Sequence, residues 1–342
     1  MGDNYKPWGV DYKEFYTQAG KQDRLRFLLR FAILAPSSHN SQPWSFRVDG
    51  DEIIIFPEDA RMLPKSDTVH RQLYISIGAA LENILAAAEF YGYRSEVRYL
   101  PQDSRGAAVA IKLEATGDVS LQGERTIMSI ISRHSNRNKY SGEKLPERFL
   151  DWVKSKSQAG FRIYVVTERK LKDKIAGVVS DALVEAMDDR NFRSELGGYI
   201  KPNTTKHKTG MPMFGFGMPT VLSFIAPYLL SRFNVNRLSR AEDEALLKDH
   251  TPHFVIITST NDDKESWIKS GQIFESVALG AEREKIRTAP MAAAIEIGDN
   301  HKRIQKILGT NMRPQVFFRM GYADAITPHS PRLGVEDVLE KE

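Results

Sequence analysis

The sequence predicts an α+β fold, an α/β sandwich, in which one helix-and-strand plan occurs twice. Three observations predict it. Leu73, Ile77, Ala80, Leu81, Ile84, Leu85 and Ala88 recur at helical spacing. Residues 267–283 show the same kind of pattern late in the chain, and placing Gly78 on Gly271 superposes Glu82 on Glu275, Ala88 on Ala281, Glu89 on Glu282 and Arg94 on Arg287 without a gap. Each long helix is accompanied by short apolar runs of strand length, such as residues 107–113, 254–258 and 315–321. Together these point to an internal duplication. The competing reading is chance agreement between two amphipathic helices.

The elements follow in order. A helix is expected over residues 23–34, with Leu25, Phe27, Leu28, Phe31 and Ala32 on one side. It ends at Ala35-Pro36, because a residue before proline avoids helical backbone angles. A polar loop (residues 37–42) leads into strands at 44–48 and 52–56. The helix from 73 to 91 is thin at Gly78, Ala79, Ala80, Ala86, Ala87 and Ala88, so a second helix can approach closely. Gly92 stands where a C-terminal cap belongs. The two long helices are therefore expected to pack on each other.

The length of 342 residues suits about two domains at roughly 150 residues each. A hydrophobic content of 41% with 27% charged residues excludes a disordered chain. Forty-eight Lys and Arg against 44 Asp and Glu are spread along the sequence, which does not suit nucleic acid. The absence of cysteine excludes disulfides, thiol nucleophiles and cysteine-bound metals. No basic-then-apolar leader opens the chain, so a cytoplasmic location is expected. Residues 210–231 carry no charge, yet Pro212, Pro219 and Pro227 interrupt them, so no stable membrane insertion is expected. They read either as buried core or as an apolar flap over a ligand.

No phosphate-binding P-loop, Gly-x-Ser-x-Gly or His-Glu-x-x-His pattern is present. His250 and His253 bracket Pro252 and read as solvated or turn histidines rather than metal ligands. Two segments stand out. Residues 35–44 make a loop rich in hydroxyls and amides, suited to the edge of a polar heterocycle; a solvated turn is the competing reading. In Arg133-His134-Ser135-Asn136-Arg137, alternate side chains offer two guanidinium forks around a hydroxyl, a phosphate cradle if they are not merely a solvated basic loop.

Taken together, these segments resemble the nitroreductase family of FMN-dependent oxidoreductases. PSSHNSQPW (36–44) is similar to the family's PSSxNxQPW loop, and RHSNR (133–137) to its Arg-x-Ser-x-Arg/Lys segment. Gly321-Tyr322-Ala323 and then Pro331-Arg332 resemble its closing strand and C-terminal basic residue. The motif order is reversed relative to the ordinary family, in which each flavin takes the two motifs from different subunits of a homodimer. The resemblance is therefore to a fused subgroup that includes the mycobacterial Acg-type proteins, one chain imitating the dimer and keeping one composite site.

The resemblance implies a first nitroreductase-like half over residues 1–120, a second over 121–342, and a lid insertion at about 197–245. It implies FMN held at its phosphate by Arg133, Ser135 and Arg332, with His134 among them and Arg137 at the pyrimidine edge. Pro36, Ser37, Ser38 and Asn40 would approach the ring and ribityl chain. Pro290, Met291, Ala292 and Ala293 would present backbone amides to the reactive flavin nitrogen, although the family commonly has an acidic residue and Gly there. Ser330 stands where members often have Lys. No catalytic side chain is needed, because the flavin carries the redox chemistry. The implied activity is a ping-pong, two-electron transfer from NAD(P)H to a nitroaromatic, quinone or similar small acceptor, by a monomer or a further homodimer. The alternative is a flavin store with a closed lid and little turnover.

Overall fold

The computed structural model describes residues 2–117, 123–323 and 327–340. The first half contains α1 (Lys21–Ala32), β1 (Trp44–Asp49), β2 (Glu52–Pro57), α2 (Arg71–Phe90), β3 (Tyr93–Tyr99) and β4 (Val109–Ala115). Helices α3 (Glu124–Ser132) and α4 (Glu147–Ser155) lead to β5 (Phe161–Val166). A long excursion follows: α5 (Arg169–Asp188), α6 (Arg190–Tyr199), the short strands β6 (Ile200–Lys201) and β7 (Met211–Pro212), then α7 (Thr220–Ser223), α8 (Ala226–Arg232) and α9 (Asn236–Asp249). The chain returns through β8 (His253–Ser259), α10 (Lys264–Arg283), β9 (Arg287–Pro290), α11 (Ala293–Glu296), α12 (Asn300–Leu308) and β10 (Arg313–Gly321).

Two four-stranded antiparallel sheets result, in the orders β1-β2-β4-β3 and β5-β8-β10-β9. Each is built the same way, with the strand after the long helix at one edge. Between the sheets α2 packs on α10. A Cβ on Gly78 would sit 1.9 Å from the Ile268 carbonyl oxygen, and one on Gly271 would sit 2.0 Å from the Ile75 carbonyl oxygen. Those two contacts are images of each other under the offset that superposes the helices, so the expected packing holds and both glycines are needed for the approach. The main core runs through this seam, from Phe31 and Leu81 to Phe274 and Phe318. A second core on the far side of the second sheet joins Phe254, Ile256 and Phe317 to α5 and α12.

The elements from α3 to α9 were not read from the sequence, and three further details depart from expectation. Strand β3 has no counterpart in the sequence reading, because as an edge strand most of its side chains are only half-buried. Helix α1 starts at Lys21 and its last turn unwinds after Ala32. His253 is neither solvated nor in a turn: it opens β8, is buried, and its Nε2 accepts from the Leu145 amide at 3.1 Å. The chain's end returns to the first sheet, where Phe46 N–H donates to the Val338 carbonyl at 2.8 Å and Glu340 N–H to the Phe46 carbonyl at 2.8 Å. Among the described helices, α2 is long and apolar enough to cross a membrane, but 78% of that stretch is buried in this core.

Candidate functional site

The loop after α1 is held in a conformation that most residues avoid. His39, Asn40 and Gln42 have φ of 52°, 55° and 54°. Left-handed backbone at non-glycine residues costs about 1–3 kcal/mol each and persists only where the surroundings impose it. Here they do. Gln42 N–H donates to Ser37 Oγ (2.9 Å), and Gln42 Oε1 accepts from the Leu333 amide (2.9 Å). Ser38 opens a single 3-10 turn, and Ser37, between it and Pro36, is extended. The Asn40 side-chain amide donates to the carbonyls of Gly210 (3.0 Å) and Pro331 (2.9 Å).

At the base of this loop two guanidiniums meet. Arg133 Nη2 and Arg332 Nη2 both donate to the Leu34 carbonyl, at 3.3 and 3.2 Å. Arg332 also donates to Ala35 O (3.3 Å) and Asn40 Oδ1 (2.6 Å). Arg133 Nε lies 3.0 Å from Glu275 Oε1. The three side chains are buried, with Glu275 wholly inaccessible. Burial pushes the Glu275 carboxyl up to about 7 against the pull of Arg133 and Arg332. It also lowers Arg332 to about 9, with Arg133 adding to the effect. Two cations thus share one weakened carboxylate, and among the described residues Arg133 Nη1 and Arg332 Nε, like both Glu275 oxygens, are buried without a hydrogen-bond partner. Uncompensated buried charge is costly. The donor set and the sign of the charge fit a phosphate.

The N-terminal turn closes this pole. The Trp8 ring lies 4.7 Å from the Arg332 guanidinium and stacks on His329 at 4.0 Å. His134 meets His329 edge-on at 5.3 Å, its Nδ1 lies 3.0 Å from Ser132 O, and its Nε2 is buried without a partner among the described residues. Ser135 bridges Thr288 in β9, and the Asn136 amide donates to Thr288 O at 3.0 Å. That strand ends at Pro290. The Met291 amide is engaged with Phe317 O at 2.9 Å, while Ala292 and Ala293 begin α11. Arg137 points elsewhere: its guanidinium lies over the Phe216 ring at 4.7 Å and its Nη2 is 3.7 Å from Met211 Sδ. Burial lowers Arg137 to about 10 and His39 to about 4. His39 packs beside Tyr199 and Phe192.

Asn40, Arg133 and Arg332 are therefore brought into one network, His134 joins it through His329 and Trp8, and Ser135 connects it to the strand before Pro290. Arg137 faces the charge-free segment instead. Sequence reasoning missed Trp8, His329 and Asn4, whose backbone carbonyl accepts from the Arg332 amide at 2.8 Å, and saw Glu275 only as a repeat position. The signal for Glu275 was an acidic residue on the apolar face of α10, between Phe274 and Val277–Ala278.

No family model matches the chain. A protein of Mycobacterium tuberculosis named "putative NAD(P)H nitroreductase" is 24% identical over 93% of this chain and 91% of its own. The M. tuberculosis "putative NAD(P)H nitroreductase acg" is 23% identical over 93% of this chain and 95% of its own. Among solved structures, the FMN-dependent nitroreductase NfnB of Mycobacterium smegmatis, in complex with NADPH, matches 65% of this chain and 99% of its own, at 17% identity and a TM-score of 0.42. The two sequence matches bear out the resemblance read from the motifs: over nine-tenths of its length the chain is a distant relative of proteins named as nitroreductases, Acg among them.

Proposed function

We propose that the chain is an FMN-dependent NAD(P)H oxidoreductase with one composite flavin site. The observation that carries this is the buried pole at Leu34, where Arg133 and Arg332 converge with donors left over and too little negative charge beside them. The names and full-length similarity of the mycobacterial relatives support the same reading. Bound FMN would supply the redox chemistry, passing two electrons from NAD(P)H to a nitroaromatic, quinone or similar acceptor in alternating half-reactions.

The chain's own residues then have distinct tasks. Arg133 and Arg332 hold the phosphate, with Ser135 beside them and Trp8 excluding water from the far side of Arg332. Asn40, held by Gly210 and Pro331, presents the 36–40 loop to the ring and ribityl chain. Arg137 would serve the pyrimidine edge, and the Pro290–Ala293 turn would stand behind the ring. In this reading residues 1–120 and 121–342 are the two fused halves, and 197–245 is the lid.

A second reading, a flavin store, has its own observation. Segment 205–210 is tied down by Asn4 donating to Thr205 O and His207 O, by Gln42 donating to Lys208 O, and by a reciprocal pair between Asn40 and Gly210. One experiment separates the readings. The purified chain should show an oxidised-flavin absorbance that bleaches within seconds of anaerobic NADPH addition; a persistent band favours the store, and no FMN binding at all defeats both. Arg133→Ala should weaken FMN binding roughly ten- to a hundredfold, as loss of a charge-assisted contact does.

A further inference from the structure

Helices α7 and α8 turn their large side chains outward. Their inner face is small: Ser223 and Ala226 are buried, and a Cβ on Gly197 of α6 would come 2.7 Å from Ser231 Cβ. The outer face carries Val221, Leu222, Phe224, Ile225, Tyr228 and Phe233, between 50% and 82% exposed. Of the eleven large apolar side chains exposed among the described residues, eight fall between 216 and 233. An isolated exposed leucine needs no explanation, but a contiguous apolar surface marks a place where something docks.

The charge around this face says what docks. Residues 190–240 contain eight Lys and Arg but a single acidic residue, Glu195. Arg237, Arg240 and Lys208 are paired with Asp188, Asp181 and Asp337. Arg232 is exposed on α8 itself and lies over the Tyr228 ring at 5.6 Å. Lys206 and His207 line a surface groove together with Phe224. Aromatic side chains interleaved with cations suit the headgroup level of an anionic bilayer. A second copy docked about a two-fold axis would set Lys206 and Arg232 in a patch facing its own like-charged image. At seven residues, about 10 Å of helix, α8 reaches the interface but does not span it.

We propose that this outer face seats the protein peripherally on an anionic lipid surface, Phe224, Tyr228 and Phe233 entering among the headgroups and Arg232 and Lys206 meeting their phosphates. The inference stands apart from the flavin reading. The seated element is nevertheless continuous with Phe216 and Met211 beside Arg137, so a lipid surface lies next to the segment over that residue.

Flotation with lipid vesicles tests it, using the full chain with and without FMN. Vesicles of phosphatidylcholine plus phosphatidylglycerol should carry the protein, neutral phosphatidylcholine vesicles should carry about tenfold less, and added salt should release it. Arg232→Gln should weaken binding about fivefold. Phe224→Ser with Tyr228→Ser should abolish binding while moving thermal unfolding little, since both side chains are more than half exposed. Absence of flotation, or equal binding to neutral and anionic vesicles, overturns the proposal. So does a lipid-independent dimer, seen by sedimentation, that the same double substitution dissolves. Flotation is read on the protein itself, so a chain that never bleaches with NADPH still gives a clear answer.

Discussion

The two halves agree at their centre and differ at their rim. Where α2 meets α10, the reciprocal glycine contacts match within 0.1 Å, 1.9 against 2.0 Å. At the rim the same position in the sheet is treated in opposite ways. In the first half β1 and β2 are joined by the tight turn at Gly50–Asp51, whereas the equivalent pair β5 and β8 is separated by residues 167–252. The matched carboxylates diverge as well. Glu275 faces Arg133 and Arg332, but Glu82 faces the Ser276 hydroxyl and the more remote Lys156. A seam that tolerates no added atom keeps its symmetry, while loops and buried charge are free to specialise, and the proposed flavin site uses only one pole.

The largest effect is expected at the seam. Gly271→Val places side-chain atoms where the Ile75 carbonyl already sits, so the helices must part. Thermal or urea unfolding should show a loss of more than about 3 kcal/mol, beyond ordinary overpacking. Gly177→Ala in α5, where nothing lies within 4 Å of the new Cβ, is the control and should be neutral or gain up to about 1 kcal/mol. Equal tolerance at the two glycines would mean that the seam is not what holds the halves together.

Next comes the carboxylate pair. Burial lifts both Glu82 and Glu275 from 4.5 to about 7. A raised carboxyl is favoured in its neutral form when folded, so between those values the folded chain holds more protons than the unfolded one. Stability should therefore be greatest below about 4.5 as far as these groups decide it, fall as pH rises towards 7, and level off above. Together they set a fall on the order of a few kcal/mol, shared between them because the Glu275 charge is one of the causes that raise Glu82. Unfolding midpoints of the flavin-free chain across this range should reveal the slope, and Glu82→Gln should remove about half of it. A flat profile would show that both carboxyls are already ionised in the fold.

Much of this was legible before any coordinates, and what was not has a physical reason. The central helices announced themselves because a buried helix must repeat apolar residues at its own period, and Gly78 with Gly271 stood out because only close approach requires them. The 36–44 loop was visible as a motif, but its three left-handed residues were not, since the enrichment of Asn and His at positive φ is too slight to single out His39 and Asn40 and does not extend to Gln42. Strand β3 hid because an edge strand need not alternate cleanly. Trp8, Asn4 and His329 were invisible as site residues for a different reason. Their importance lies in contacts more than 190 residues apart, such as Trp8 Nε1 to Ser330 O, and no local pattern encodes these. Glu275 was readable in principle, as a charge on an apolar stripe.

The smallest effect concerns how the asymmetric excursion is held by the symmetric body. Asn4 belongs to the N-terminal turn of the first half, and its side-chain amide donates to Thr205 O at 3.0 Å and His207 O at 3.1 Å in the excursion of the second. Its own backbone carbonyl accepts from Arg332 N–H at 2.8 Å, a bond that survives substitution. Asn4→Ala therefore removes two of the bonds that tie down the excursion, leaving those from Gln42 and Asn40, and takes nothing from the guanidinium pole. Two neutral hydrogen bonds are together worth about 1–2 kcal/mol, so the open state should gain roughly five- to thirtyfold in population. If segment 205–217 gates the site, FMN dissociation and the bleaching by NADPH should both quicken by that factor in anaerobic stopped-flow, while the equilibrium unfolding midpoint moves little. Faster dissociation with unchanged bleaching would mean that nicotinamide enters by another face. If neither rate changes, the Asn4 bonds do not hold the excursion over the site, and the lid reading loses their support.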